Sequence, residues 1–435
     1  MGVLSSLFSG VSGINANGTS LSVVGNNIAN TNTVGFKSSR AIFADVLSGS
    51  GGRQPVGRGV LVSAIDKDLS QGSFETTGNV LDLAVDGEGF FLVSDGNGSY
   101  YSRSGVFGTD KDGYIVNPEG LKLQAFQADT TGTITGTLGP VQVKSNISNP
   151  NPTGTVTINS NLDSRASVFA APGFDVNNPI STSNHSNAIT VFDSLGRGHV
   201  ATVYYTKISS NTWQWNAVVD AADSASGLTE VQATGYLEFN SSGALNNNNL
   251  AAPVGFPAAG YPVGAGFQFN GGAAADQGIT FNFGADIVND GGTGLSGTTQ
   301  FGVISSTSFQ TQDGYAPGEL QSVNINPDGI IEGLFNNGES RVLAQIAVAT
   351  FNNPSGLQPQ GSNLFAESFS SGQPNTGFPQ SGGRGRVLSN SLELSNVDLA
   401  SEFIKMISAQ RAFQANSRVI TSTDEVLRDM VNIIR

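Results

Sequence analysis

The sequence predicts a mainly β protein with α-helical termini. Paired N- and C-terminal heptad helices and a linker enclose two stacked β domains, with the outer one inserted in the inner. Three observations predict this nesting. Apolar residues recur every seven positions at both ends, first as Leu7, Ile14, Leu21 and Ile28, then as Leu399, Met406, Phe413, Ile420, Leu427 and Ile434. That period marks helices whose apolar seams lie along other helices for several turns. Between the ends, the pattern changes to alternation with period two, punctuated by turn residues. Composition then shifts near residues 70, 145, 300 and 370, which divides the middle symmetrically about an insert.

Taken in order, the first element is a helix over Leu4 to Asn30, whose apolar residues follow a 3,4 spacing with Gly18 and Gly25 where seam residues would fall. Each glycine weakens an isolated helix by about 1 kcal/mol relative to alanine, so this helix needs partners. Residues 31–70 and 370–395 are expected to form the connecting region, because Ser48 to Gly59 and Phe369 to Gly385 are rich in Gly, Ser and Pro. The inner β domain is expected at 71–145 plus 301–369, with turns at Asp112 and Gly113, Glu119 and Gly120, Pro327 to Gly329, and Asn337 and Gly338. The outer β domain is expected at 146–300, where Val156, Ile158, Ile189 and Val191 alternate and Asn246 to Ala275 is of low complexity. The terminal helical domain, 1–30 plus 396–435, closes with forty residues free of Gly and Pro. Its seam widens into doublets such as Val419 with Ile420, separated by the polar Gln410, Ser417 and Asp424, which fits a layered bundle better than a lone two-stranded coil.

Composition excludes several functions. Charged residues are only 12% of the chain, and the net charge of -14 comes from scattered acids rather than clustered bases. Nucleic acid needs clustered Lys and Arg, so it is not an expected partner. No apolar run approaches the ~20 residues of a membrane span, so no membrane insertion is expected. With no cysteine and only His185 and His199, neither a disulfide framework nor a zinc site is expected. The first basic residue is Lys37, so the N-terminus lacks the charged region of a cleaved signal.

No motif carries catalysis. Asp82, Asp86 and Glu88 are the most suggestive acids, but alternation of Leu81, Leu83 and Val85 places them on a solvent face before a glycine turn. Asp110, Asp112 and Gly113 open like a calcium loop, yet its later ligands and closing Glu are missing, and a hairpin turn needs the same residues. Gly2 with Ser6, and Asn17 with Thr19, match short modification patterns that occur by chance. His199 falls in an alternating strand that reads as hairpin surface, and Trp213 and Trp215 read as packing residues. No catalytic residue, cofactor or metal ligand is therefore expected.

The segment NNIANTNTVGFK, with Asn26, Asn27, Ala29, Asn30, Thr31, Asn32, Gly35, Phe36 and Lys37, resembles the signature of bacterial flagellar rod and hook proteins. Asn and Thr suit such a junction because their side chains bond the backbone at helix ends and turns. The resemblance continues through VDGEGFF, through RSGVFGTDKDGYIVNPEGLKLQAF from Arg103 to Phe126, and through the last forty residues. Rod members share the ends but are shorter. The added stretch 146–300, with SNAITVFDSLGRGHVATVYYTKI from Ser186 to Ile208, resembles the hook type.

The resemblance implies a structural subunit that self-assembles into a curved helical tube and transmits torque from rod to filament as a universal joint. It implies an extracellular place in the flagellum, reached through the flagellar type III export apparatus without a cleaved signal. Implied partners are further copies of the chain, the distal rod protein, the hook cap protein and the hook-filament junction protein. The seam residues would then be buried between neighbouring copies. Two rivals are a distal rod protein and, in another class, a secreted β-rich adhesin or glycan-active protein using Trp213 and Trp215.

Overall fold

The computed structural model describes residues 2–47, 57–129, 131–143, 147–249, 251–254 and 266–433. Helix α1 spans Gly2–Ala29 and helix α2 spans Leu399–Ile433. Asp398 caps α2, its carboxylate accepting from the backbone N–H of Ala400 at 2.9 Å, which satisfies a donor that the first helical turn leaves open. At the other terminus α1 is stopped by its own signature. Asn30 Nδ2 donates back to the Asn26 carbonyl at 2.9 Å, Thr31 Oγ1 donates to the Ile28 carbonyl at 2.9 Å, and Gly35 turns the chain at φ +72.

Strand β1 (Ser39–Leu47) and strand β2 (Gly57–Lys67) then form an antiparallel pair running from Ser39 opposite Lys67 to Leu47 opposite Gly57. The expected connecting region is therefore built of strands rather than slack chain, and only 48–56 of it lies outside the described residues. Its C-terminal counterpart is also strand-bearing: Arg386–Ser389 pairs with Leu83–Asp86, and Ser391–Glu393 pairs with Phe74–Thr76.

The chain divides into two compact units. The first comprises 1–146, 320–334 and 340–435. Beside the helices it holds an antiparallel sheet in which Ile330–Phe335, Ser340–Ile346, Lys122–Ala128, Phe90–Ser94, Ser99–Ser102 and Leu364–Ala366 follow one another. One face of its core collects Leu83, Val85, Phe91, Phe107, Leu123, Ile331, Ile346 and Val387. A second cluster gathers Phe90, Leu92, Tyr101, Phe351, Leu357 and Phe365, with Tyr101 and Phe351 edge to face at 4.8 Å. In Leu83–Asp86 the residues Leu83, Ala84 and Val85 are all fully buried, so this strand does not alternate as the sequence suggested. It is covered on both faces, which is why it reads as a short continuous apolar run.

The second unit comprises 147–319 and 335–339. It extends past residue 300 because Ser306–Gln312 pairs along Thr155–Asn161, whose other edge carries Thr280–Asn282 in parallel. A five-stranded antiparallel meander of His185–Phe192, Gly198–Ser209, Thr212–Val219, Glu230–Phe239 and Leu245–Asn247 completes it. Its hairpin turn at Asp193 is an Asx turn: the carboxylate accepts from Leu195 N–H at 2.8 Å and Arg197 N–H at 2.9 Å. Trp213 is fully buried and donates from Nε1 to Gln300 Oε1 at 2.6 Å, while Trp215 is half-buried, with its ring 5.0 Å from that of Phe281 and 5.1 Å from that of Phe283. Neither offers an open sugar platform.

Candidate functional site

In α1 and α2 the seven-residue seams contribute little to the contact between the two helices, Ile420 being the seam residue that reaches across to Gly10. The helices run antiparallel: Ser6 Oγ lies 3.5 Å from Thr423 Oγ1, a Cβ on Gly10 would meet Ile420 at 3.0 Å, and one on Gly13 would meet the Asn416 side chain at 2.7 Å. Buried along this line are Gly10, Gly13, Ala16, Val23, Val24 and Asn27 of α1, and Glu402, Ala409 and Thr423 of α2. The α2 line is itself a heptad, Glu402, Ala409, Asn416 and Thr423, but one of small and polar residues. It was the overlooked signal, since apolar periodicity hides a second period made of residues with no hydrophobic weight. Gly18 and Gly25, expected at seam positions, have open space where a Cβ would stand.

The apolar seam residues are spread over the remaining surface. Leu7, Ile14, Leu21, Ile28, Met406, Ile420 and Leu427 are half-buried, Leu399 and Phe413 are exposed, and Ile434 lies outside the described residues. Further apolar side chains stand open beside them: Phe8 is 67% exposed, Ile404 66%, and Phe403 and Ile407 50% each, with Val11, Val419 and Val426 also exposed. Of the polar interruptions, Gln410 and Asp424 are exposed and Ser417 is half-buried, and Asp424 pairs with Arg428 at 2.9 Å.

One end of the helix pair is pinned by the signature segment. Asn27 Nδ2 donates to the Ser39 carbonyl at 2.8 Å and to Glu402 Oε2 at 3.0 Å, and its Oδ1 accepts from Ser39 N–H at 2.9 Å. One buried carboxamide thus ties α1, β1 and α2 together. Asn26, Ala29 and Asn32 are exposed, and Thr33 Oγ1 donates to Asn30 Oδ1 at 3.1 Å. Gly35 is buried and leaves no room for a side chain, since its Cβ would stand 2.5 Å from Ser104 N. Phe36 is buried, with Lys67 Nζ 5.6 Å from its ring centre.

Lys37 enters a charge cluster that the sequence alone did not reveal. Its Nζ donates to Glu393 Oε1 at 2.5 Å and to the Ser70 carbonyl at 2.6 Å, with both side chains fully buried. Glu393 also accepts from Gly72 N–H at 2.9 Å and faces Arg103 Nη1 at 3.5 Å, while its backbone carbonyl accepts from Gly35 N–H at 2.8 Å. Burial pulls both Lys37 and Arg103 below their ordinary range, and Glu393 opposes that pull. Asn396 continues the junction, accepting from Ser38 N–H at 2.8 Å and donating to the Asp68 carbonyl at 2.9 Å. Residues from both ends of the sequence therefore close one polar knot.

The acids weighed for catalysis do not converge. Asp86 accepts from Arg386 Nε at 2.7 Å, Asp82 accepts from Asn79 Nδ2 at 3.1 Å, and Glu88 is exposed. Asp110 is a turn residue, accepting from Asp112 N–H at 2.9 Å and Tyr114 N–H at 2.8 Å. His199, expected on a hairpin surface, is instead buried against Phe269 at 4.4 Å, with Nε2 3.0 Å from Asp193 and Nδ1 3.1 Å from Asp223. Its strand carries polar residues inward there because the turn carboxylate needs a partner. Among the described residues no group of three His, Asp or Glu side chains is placed to hold a metal, and no helix is long and apolar enough to cross a membrane.

Four flagellar families match successive stretches: Flagella basal body rod protein at 7–37, Flagellar hook protein FlgE/F/G D1 domain at 84–161, Flagellar basal body protein FlaE D2 domain at 161–315, and Flagellar basal body rod FlgEFG protein C-terminal at 388–433. The flagellar hook protein FlgE of Escherichia coli K12 is 36% identical over 431 residues, 97% of this chain and 98% of that protein. That of Salmonella typhimurium LT2 is 35% identical over 427 residues, again 97% and 98%, and that of Treponema pallidum is 32% identical over 473 residues, 100% of both. The crystal structure of Helicobacter pylori flagellar hook protein FlgE2 matches with a TM-score of 0.50 at 15% identity, covering 73% of this chain and 100% of that one, a likeness of fold. The terminal helices, the signature knot and the β units thus all fall within one lineage, and the chain belongs to the flagellar hook protein FlgE family as a structural subunit of the hook.

Proposed function

We propose that the chain polymerises through α1 and α2 into a curved helical tube, a universal joint that transmits torque from rod to filament. The observation that carries this reading is the division of labour on the helices. Mostly small and polar residues, with Ile420, line the approach of α1 to α2 within the chain, while Phe8, Phe403, Ile404 and Ile407 stand open. Fully burying such a side chain contributes about 1.5 to 3 kcal/mol, so half-exposed ones each hold roughly 1 kcal/mol in reserve for a neighbouring copy. The apolar seam from Leu7 to Ile28 and from Leu399 to Ile434 supplies the rest of that contact.

In this reading 1–30 plus 396–435 form the innermost layer and carry torsional stiffness. The regions 31–70 plus 370–395 connect them to an inner β domain at 71–145 plus 320–334 and 340–369 and an outer one at 147–319 plus 335–339. The outer domains meet through weak polar contacts that cost little to remake as the tube bends. The subunit catalyses no reaction. It leaves the cell unfolded through the flagellar type III export apparatus without a cleaved signal and works outside it. At the ends of the tube it meets the distal rod protein, the hook cap protein and the hook-filament junction protein.

Phe403→Asp and Ile407→Asp test the reading. Each should abolish polymer formation by the purified chain, scored by sedimentation and electron microscopy, and leave the tryptophan emission of the second unit unchanged. Polymers as abundant as those of the unaltered chain would overturn it. Straight rather than curved polymers would support a rod role instead.

A further inference from the structure

The sequence holds four Asn-Gly pairs, beginning at Asn17, Asn97, Asn270 and Asn337. Asparagine followed by glycine is chemically labile, because no side chain screens the following backbone nitrogen from the carboxamide. The fold treats the four differently. Asn17 lies within α1, where its Nδ2 donates to the Gly13 carbonyl at 2.7 Å. Asn270 Nδ2 donates to the Ala222 carbonyl. Asn337 is held on both sides of its carboxamide, Nδ2 donating to the Ala316 carbonyl at 2.8 Å and Oδ1 accepting from Glu339 N–H at 3.1 Å. Of the four only Asn97 is exposed, and its carboxamide has no hydrogen-bond partner among the described residues. It sits at the tip of the hairpin joining Phe90–Ser94 to Ser99–Ser102, just beyond the pairing of Ser94 with Ser99. Asn97 N–H and Gly98 N–H donate to Asp95 Oδ1 at 2.8 and 2.7 Å, so the backbone of the turn is set while the carboxamide is untethered.

We propose that Asn97 is a site of spontaneous modification, its carboxamide converting to a carboxylate through a cyclic imide. Gly98 N attacks Asn97 Cγ, so that an N–Cγ bond forms and the Cγ–Nδ2 bond breaks, and ammonia leaves with the proton lost by Gly98. Water then opens the ring at either carbonyl, leaving aspartate or, with the main chain rerouted through the side chain, isoaspartate. The net change is water taken up and ammonia released, with no oxidant or reductant. Gly98 N–H lies in its peptide plane and points at the Asp95 carboxylate, which gives the departing proton an acceptor and leaves the faces of the nitrogen open. At the other three sites the carboxamide must first break its hydrogen bonds, and at Asn17 the helix backbone must also open before a ring can close. Isoaspartate adds a methylene to the main chain at the hairpin tip and a second negative charge beside Asp95. The strands that the tip joins carry the buried Phe91, Val93 and Tyr101.

The test ages the purified, folded chain at mildly alkaline pH. Peptide mass spectrometry reads amide-to-acid conversion at each of the four asparagines, and an isoaspartate-specific methyltransferase reads the product. Asn97 should convert about tenfold faster than any of the other three, the factor given by a hydrogen bond at the upper end of its usual worth. In urea, where no site is held, the four rates should converge. Gly98→Ala should lose most of the conversion at Asn97 and leave the other sites unchanged, because its methyl group screens the attacking nitrogen. A Cβ at Gly98 meets nothing nearer than Tyr100 Oη at 3.5 Å, so this variant keeps the fold. Equal rates at the four sites of the folded chain would overturn the proposal. So would an Asn97 that converts in urea but not in the folded chain, or one that converts undiminished in Gly98→Ala.

Discussion

Glu393→Gln is expected to destabilise the first unit more than any other single change at the signature junction. Glu393 is the fully buried anion facing Lys37 Nζ at 2.5 Å and Arg103 Nη1 at 3.5 Å. A glutamine keeps the shape and can still accept from Gly72 N–H, but it removes the nearest anion from two buried cations and leaves them only the more distant Asp68 and Glu88. Breaking one side of a buried ion pair costs about 3 to 5 kcal/mol, chiefly the penalty of the charge left behind. For a unit of this size that lowers the melting temperature by roughly 6 to 20 °C, at about 2 to 4 °C per kcal/mol. The assay is urea unfolding followed by two signals at once. Both tryptophans, Trp213 and Trp215, belong to the second unit, whereas α1 and α2 belong to the first. Helical circular dichroism should therefore shift to lower urea in the variant while tryptophan emission stays in place as an internal control. Lys37→Met should cost less, because Glu393 then keeps Arg103 and Gly72 N–H. A dichroism transition within about 1 kcal/mol of the unaltered protein would refute the assignment of the knot as the clamp between the two ends of the chain.

The helix glycines should divide into two classes. Gly18→Ala and Gly25→Ala, with open space at each Cβ, should each stabilise α1 by about 1 kcal/mol, whereas Gly13→Leu should part the helices by driving into Asn416, read as lost hydrogen-exchange protection from Ala409 to Thr423. Asp163 should set part of the acid limb of the second unit. The Arg165 side chain and backbone N–H hold its carboxyl at about 2, below the ordinary 3.8, so the unfolded chain binds more protons between those values and stability rises with pH across that window. Asp163→Asn should flatten that part of the tryptophan-monitored pH profile, and an unchanged slope would count against the pair.

The ends and the β character of the middle were legible because each rests on a period that local chemistry enforces. The signature was legible as a sequence of Asn and Thr suited to a helix end, and α1 does end on Asn30 and Thr31 bonding back to the preceding turn. What the signature holds was not legible, because the partners of Asn27 and Lys37 are Glu402 and Glu393, more than 350 residues away in the chain. No local pattern encodes so distant a pairing. His199 was misplaced for a related reason. Alternation assigns it to a face but says nothing of Asp193 and Asp223, which make the inward face hospitable to an imidazole. The pairing of Ser306–Gln312 with Thr155–Asn161 is likewise a long-range choice that no composition shift near residue 300 could announce.

The contrast between the two heptads on α2 bears on how a subunit can be both a monomer and a building block. Had Leu399, Met406 and Phe413 faced α1 as Ile420 does, the helix pair would have satisfied itself and offered neighbours little apolar surface. Instead Ala409 and Thr423 face it, with Gly10 and Gly13 opposite letting the backbones approach. Small residues bury little area, so this contact contributes little by the usual ~25 cal/mol per Å². Its register must then be fixed by something other than packing, and the buried Asn27 to Glu402 bond does so at the end nearest the β structure. A single buried polar pair is a known way to set register at a cost in strength. At the opposite end Ser6 Oγ approaches Thr423 Oγ1 at 3.5 Å. The pair is thus anchored at the end nearest the β structure, so its register does not depend on the apolar seams.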